Sequence, residues 1–183
     1  MKLEDTIAKT EIKKILVADD TTANIDAAKQ YFSTLEKLGI KVDFAASANE
    51  AKDKIRNAYE KNEKYAMVIT DLSMEEPKSG MDVAREGFKH LAYSMIATGF
   101  NYDVPDGHHH GPITNLHPLN ERISGKKDKP EVWEAIFSKA MDYLAEGDGK
   151  SAFAAMKRFD KYIGQPSDGI AETMMMMLEI DLG

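Results

Sequence analysis

Three carboxylates stand where they could do chemistry together. Asp19 and Asp20 end the apolar run Lys14-Ile15-Leu16-Val17-Ala18, and Asp71 ends a second run, Ala66-Met67-Val68-Ile69-Thr70. A short apolar run closed by an acid is the pattern of a strand buried on both faces of a parallel sheet. Ligands of such sheets bind beyond the carboxyl ends of the strands. If the two strands are neighbours the three acids converge, and carboxylates brought that close repel one another unless a cation lies among them. A hard divalent ion such as Mg2+ prefers oxygen ligands of this kind, so the spacing predicts a magnesium site. A single acid at a strand end is just as often a turn former or helix cap, and Asp20 before Thr21-Thr22 suits that role. Two strands ending the same way favour the metal reading.

The elements that must position these acids alternate. Between the two runs, Ile25, Ala28, Phe32, Leu35 and Leu38 recur at helical spacing and Gly39 follows as a stop. Lys41 to Ala46 reads as a second strand, and Asn49-Glu50-Ala51 opens a charged helix with Ala51, Ile55 and Tyr59 on one side. After Asp71, Gly80 to Leu91 can form a helix and Tyr93 to Thr98 a fourth strand. This alternation predicts an α/β fold with a parallel sheet and right-handed crossovers. Residues 100–119 are rich in Gly, Pro, Asn and His and read as a long loop, with a fifth strand placed at 120–127 mainly by its position. Asp128 as a cap, Pro130 in the first turn and the stripe Val132, Trp133, Ile136, Phe137, Ala140 and Leu144 predict a helix over 131–145. Two further helices are expected at 151–163 and 171–178.

Composition narrows the function classes. A chain of 183 residues with 43% hydrophobic content suits one extended domain. It has no cysteine, which removes disulfides, thiolate metal sites and thiol nucleophiles. The net charge of −7 opposes nucleic acid, and no dense Lys/Arg cluster offsets it. No apolar stretch is long enough to span a bilayer and the first residues lack the apolar run of a signal peptide, so no membrane contact and a cytoplasmic location are expected.

The motifs carry a family resemblance. Ile15-Leu16-Val17-Ala18-Asp19-Asp20, with Asn24 beyond, resembles the first strand and acidic pair of response-regulator receiver domains, and Ala45-Ala46-Ser47-Ala48-Asn49-Glu50-Ala51 resembles their second strand and helix. Met67-Val68-Ile69-Thr70-Asp71-Leu72-Ser73-Met74, with Gly80 beyond, is similar to their phosphoacceptor strand and loop. The resemblance covers roughly residues 12 to 145. It implies a flavodoxin-like doubly wound five-stranded parallel sheet of order 2-1-3-4-5, here with additional C-terminal helices. Residues 1–11 would be an extension, 12–146 a receiver domain with an insertion loop at about 100–119, and 147–183 a helical extension packed on the receiver or on a partner. It further implies that Asp71 accepts a phosphoryl group, that Asp19, Asp20, Asp71 and the Ser73 backbone carbonyl hold Mg2+, and that Thr98 senses the phosphoryl group. The implied partners are a histidine kinase or phosphotransfer protein, and a downstream protein or second copy of the chain.

Receivers also place a lysine, usually followed by proline, at the end of the fifth strand. Lys126, Lys127 and Lys129 compete for that role here; Lys129 falls inside the expected helix start, which favours Lys126 or Lys127. The chain departs from the family in three further places. Glu75-Glu76-Pro77-Lys78-Ser79 lengthens the loop after the acceptor, His108-His109-His110 with His117 marks the long loop, and Met174 to Met177 lies in the C-terminal extension. The histidines read as a mobile loop or, alternatively, a secondary metal or partner site. The methionines read as gap-filling core. Three functions follow: a single-domain receiver; a pseudo-receiver that binds partners without phosphorylation; and a small phosphatase with an aspartyl-phosphate intermediate, against which Asp19-Asp20 lack the usual Asp-x-Asp spacing.

Overall fold

The apolar runs ending at Ala18, Thr70 and Thr98 become the centre of one sheet in a computed structural model that describes residues 2–100, 112–146 and 152–182. In chain order the elements are α1 (Leu3–Thr10), β1 (Lys14–Ala18), α2 (Thr22–Phe32) continued by a 3-10 turn (Ser33–Leu38), β2 (Lys41–Ala45), α3 (Ala48–Glu60), β3 (Met67–Thr70), α4 (Ser79–Lys89), β4 (Tyr93–Thr98), β5 (Ile113–His117), β6 (Glu121–Ser124), α5 (Pro130–Glu146), α6 (Ala152–Tyr162) and α7 (Asp168–Leu182). Apart from half-buried Lys14, every residue of β1, β3 and β4 is buried. Strands covered on both faces have no solvent side to alternate with, which is why their sequences read as unbroken apolar runs.

The side chains of β1 point alternately to two layers. Ile15 and Val17 meet Phe32 of α2 and Trp133 and Phe137 of α5, whereas Leu16 and Ala18 meet Ala51 and Ile55 of α3 and Val83 of α4. α1 packs along α5 and buries Thr6, Ile7 and Thr10, so the N-terminal eleven residues carry a helix that their polar composition did not announce. On the other layer α7 packs along α4 and reaches β5, burying Ile170, Ala171, Met174 and Met175 while Met176 stays exposed. The methionine run thus does act partly as core. Among the described residues no helix is long and apolar enough to cross a membrane.

The expected five-stranded, all-parallel sheet is corrected to a six-stranded mixed sheet of order β2-β1-β3-β4-β5-β6. Its first four strands pair parallel in the expected order, but β5 runs antiparallel to β4, and β6 antiparallel to β5. The place beside β4 is filled from within the expected 100–119 loop, and the segment expected as the fifth strand becomes the outer edge. The reason is connectivity. Only Pro118 to Asn120 separate β5 from β6, and a link that short can join only antiparallel neighbours. β5 escaped notice because Thr114, Asn115 and His117 are buried polar residues, so no apolar run marks it.

His117 carries a pH prediction. Burial holds its pKa down to about 4 against an ordinary 6.5, with a hydrogen bond to Asn120 acting in the opposite direction. A neutral histidine with a depressed folded pKa stabilises the protein fully above the unfolded value, loses that contribution as pH falls below about 6.5, and has lost it once pH passes about 4. Stability should therefore fall by roughly 2 kcal/mol more in the wild type than in His117→Gln between pH 7 and pH 5. Urea titrations of both proteins at the two pH values check this; parallel losses would refute it.

Candidate functional site

β1 and β3 are direct neighbours, with Ala18 opposite Thr70, so the acids that follow them emerge side by side. The backbone continues the pairing one step further: Asp71 N–H donates to the Ala18 carbonyl (2.8 Å) and Asp19 N–H to that of Ala45 (3.1 Å). Asp19 is buried at 1% exposure. Its Oδ1 accepts from Thr21 N–H (2.9 Å), and the Asn24 amide, one turn into α2, donates to both carboxylate oxygens (3.1 Å each).

The cation of this site is Lys127. Its Nζ lies 2.6 Å from Asp19 Oδ2, 2.7 Å from Asp71 Oδ1 and 2.7 Å from the Ala97 carbonyl, which uses all three ammonium protons. Burial opposes the charge, but Asp71 and Asp19 outweigh it and raise the Lys127 pKa above its usual value. Among the described residues no donor reaches the second acceptor oxygen, Asp71 Oδ2.

Asp20 is exposed at the rim. Partial burial raises its pKa, followed by repulsion from Asp19 and Asp71, against weaker help from its own backbone N–H and Lys127. Three carboxylates against one ammonium leave an excess of two negative charges at the strand ends. A divalent cation would neutralise that excess, and the donor set, carboxylates plus the Ser73 carbonyl on the neighbouring loop, is of the hard oxygen type that Mg2+ takes. The residues present therefore suit the ion in chemical type. Among the described residues no three His, Cys, Asp or Glu side chains are already gathered as a metal cage, the gap between Asp19 and Asp71 being held by the Lys127 ammonium.

The loop after Asp71 is tied down by its own hydrogen bonds. Gly80 N–H donates to the Leu72 carbonyl (2.8 Å), the Ser73 hydroxyl accepts from Lys78 N–H (3.0 Å), and the Ser79 hydroxyl from Met74 N–H (3.1 Å). Glu75 is engaged by the start of α3: its carboxylate accepts from Ala48 N–H (2.9 Å) and Asn49 N–H (3.2 Å), capping α3 beside the Ser47 hydroxyl, which accepts from Glu50 N–H (3.1 Å). Burial pushes the Glu75 pKa up, but the N–H donors of Ala48, Glu75 itself and Asn49, with the charge of Lys52, together hold it below its usual value.

Of the lysines, Lys127 reaches the acids while Lys126 and Lys129 are exposed. Thr98 is buried at the end of β4, one residue past the carbonyl that receives Lys127, and its hydroxyl accepts from Phe100 N–H (3.1 Å). Among the described residues no hydrogen bond joins the Asp128 side chain to α5, whose first turn is closed by Val132 N–H to the Lys129 carbonyl (3.1 Å). His108, His109 and His110 lie outside the described residues; His117 is on β5, opposite Ile96. Sequence reasoning missed the Ala97 carbonyl and the Glu75 cap, since neither has a local signature. The sequence matches no protein-family model and no curated protein.

Proposed function

We propose that this chain is a receiver-like phosphoacceptor, taking a phosphoryl group on Asp71 from a histidine kinase or phosphotransfer protein, with Mg2+ as cofactor, and passing the signal on by protein contact. The observation that carries the reading is the Lys127 ammonium bridging Asp19 and Asp71 at the ends of adjacent parallel strands. It brings Asp19, Asp71 and a lysine that are more than fifty residues apart in sequence together around one ammonium. The motif resemblance points to the same residues.

Asp71 Oδ2, the oxygen without a donor among the described residues, is the nucleophile. It forms a bond to phosphorus as the bond from phosphorus to the donor's nitrogen or oxygen breaks, and the electron pair leaves on that donor atom. Lys127, on Oδ1, fixes the orientation of the carboxylate and keeps a positive charge beside the incoming phosphoryl oxygens. Asp20, Asp71 and the Ser73 carbonyl would hold Mg2+, with Asp19 acting through water because its oxygens are already engaged. Bound Mg2+ would supply neutralisation of phosphoryl charge.

Incubation with acetyl phosphate and Mg2+ should add the mass of one phosphoryl group to the intact protein, and Asp71→Asn should abolish the gain. No gain in the wild type sinks the proposal. One observation favours a second reading, the pseudo-receiver. The antiparallel β5–β6 hairpin stands where a receiver carries its fifth parallel strand, so the face such domains use for switching is rebuilt. A partner captured without any phosphoryl gain is the result expected of that reading, and a Mg2+ affinity that is lost on mutating Asp19 or Asp20 counts against it.

A further inference from the structure

The chain separates Lys127 from Pro130 by two residues, so the lysine is not delivered by the helix start itself and needs another anchor. Two contacts fix its backbone. On one side Gly125 turns the chain at φ +110, a conformation that side chains rarely adopt, and its carbonyl accepts from the Thr114 hydroxyl of β5 (2.8 Å). On the other, the Trp133 indole N–H donates to the Lys127 carbonyl at 2.7 Å. Trp133 is 1% exposed, packs against Phe32 at 6.1 Å between ring centroids, and has the Lys127 Nζ 6.0 Å from its own ring centre.

We infer that Trp133 is a positioning residue for Lys127: its indole N–H holds the lysine backbone so that the ammonium meets Asp19, Asp71 and the Ala97 carbonyl together. The inference rests on the reading that Lys127 serves the acceptor site, and it adds a residue outside the acidic cluster to the machinery. A core aromatic alone does not explain the residue. Phe32 and Phe137 already supply the packing of this layer, and phenylalanine at 133 would fill most of the same space without a donor. The indole has one hydrogen to give, and it goes to the one carbonyl whose displacement would swing the ammonium. Lysine is long and has several rotatable bonds, so a small shift of its backbone is enough to lose three simultaneous contacts. Thr114 and Gly125 hold the approach to the lysine, and Trp133 holds the lysine itself.

The test uses the full chain with Trp133→Phe, and a second form with benzothienylalanine at 133, which keeps the double-ring shape but has sulfur where the N–H was. Circular dichroism and thermal melting establish that each is folded. In the wild type, isotope-labelled lysine should give an ammonium resonance protected from solvent exchange and absent in Lys127→Gln. In both Trp133 forms that resonance should broaden or vanish, and labelling by acetyl phosphate with Mg2+ should slow by about tenfold or more. In a Lys127→Gln background the Trp133→Phe change should slow labelling no further, because it acts through the lysine. An unchanged ammonium resonance in the folded variants, or an equal slowing with and without Lys127, overturns the inference and leaves Trp133 a packing residue. If the wild type takes no phosphoryl group, the phosphoacceptor reading fails by itself, and the ammonium resonance still decides the role of Trp133.

Discussion

Lys127→Met is expected to destabilise the protein by about 3–5 kcal/mol at neutral pH, with Mg2+ recovering a large part of the loss. Methionine approximates the length of the lysine stem, so the change is mainly one of charge. It leaves Asp19, 1% exposed, beside Asp71 with no cation, and strips the Ala97 carbonyl of its donor. An intact buried ion pair is close to neutral when compared with a well-packed apolar pair, but removing one partner strands the other charge in a medium that solvates it poorly. Here a single ammonium serves two carboxylates, so both are stranded at once. Because the negative excess then grows, a divalent ion should stabilise Lys127→Met more than the wild type. Urea unfolding of both proteins in Mg2+ and in chelator measures all four stabilities. A variant as stable as the wild type would mean that the lysine does not offset the acids, and an absence of extra Mg2+ stabilisation would remove the divalent site.

Gly80→Ala should be nearly as damaging and should take Asp71 with it. A Cβ at position 80 would lie 1.8 Å from the Asp71 carbonyl oxygen, 2.8 Å from its carbonyl carbon and 2.9 Å from Leu72 Cα. All three are backbone atoms, so no side chain can turn aside, and either α4 must lift from β3 or the chain at Asp71 must move. Overpacking by a methyl group in a core costs about 1–3 kcal/mol where side chains can adjust, and the rigid contact here places the expected loss at or above about 3 kcal/mol. Gly39→Ala is the internal control: its Cβ would meet nothing within 4 Å, and only the strain of φ +77 remains, about 1–2 kcal/mol. Thermal melting ranks the two, and acetyl phosphate labelling of any folded Gly80→Ala protein reports whether Asp71 has moved. Equal melting losses would disprove the steric account.

Both effects converge on features that differ in how far the chain announces them. The acids and their strands are local. Ile15 to Ala18 and Met67 to Ile69 are apolar because both sheet faces are covered, and each run ends near where the strand leaves the core, so position and burial are written together. The helix stripes are similarly local, since burial on one side repeats with the helical turn. β5 is different: its buried Thr114, Asn115 and His117 are polar, and a pattern based on apolar runs passes over them. The Glu75 cap on α3 joins residues 26 and 27 positions apart, beyond the reach of any local capping motif.

The amino-acid sequence by itself determined the first four strands, most of the helices, and the three acids at the ends of two strands, because each depends on burial that repeats within a few residues; that those two strands are neighbours is a fact of the folded sheet. Tertiary structure alone decided the direction of the last two strands and the choice of Lys127 over Lys126. A hairpin's pairing depends on what lies beside it, and two adjacent lysines differ only in where the backbone aims them. The Gly125 turn, the Thr114 hydroxyl and the Trp133 indole set that aim, from elements that meet only when the sheet and α5 have closed on each other.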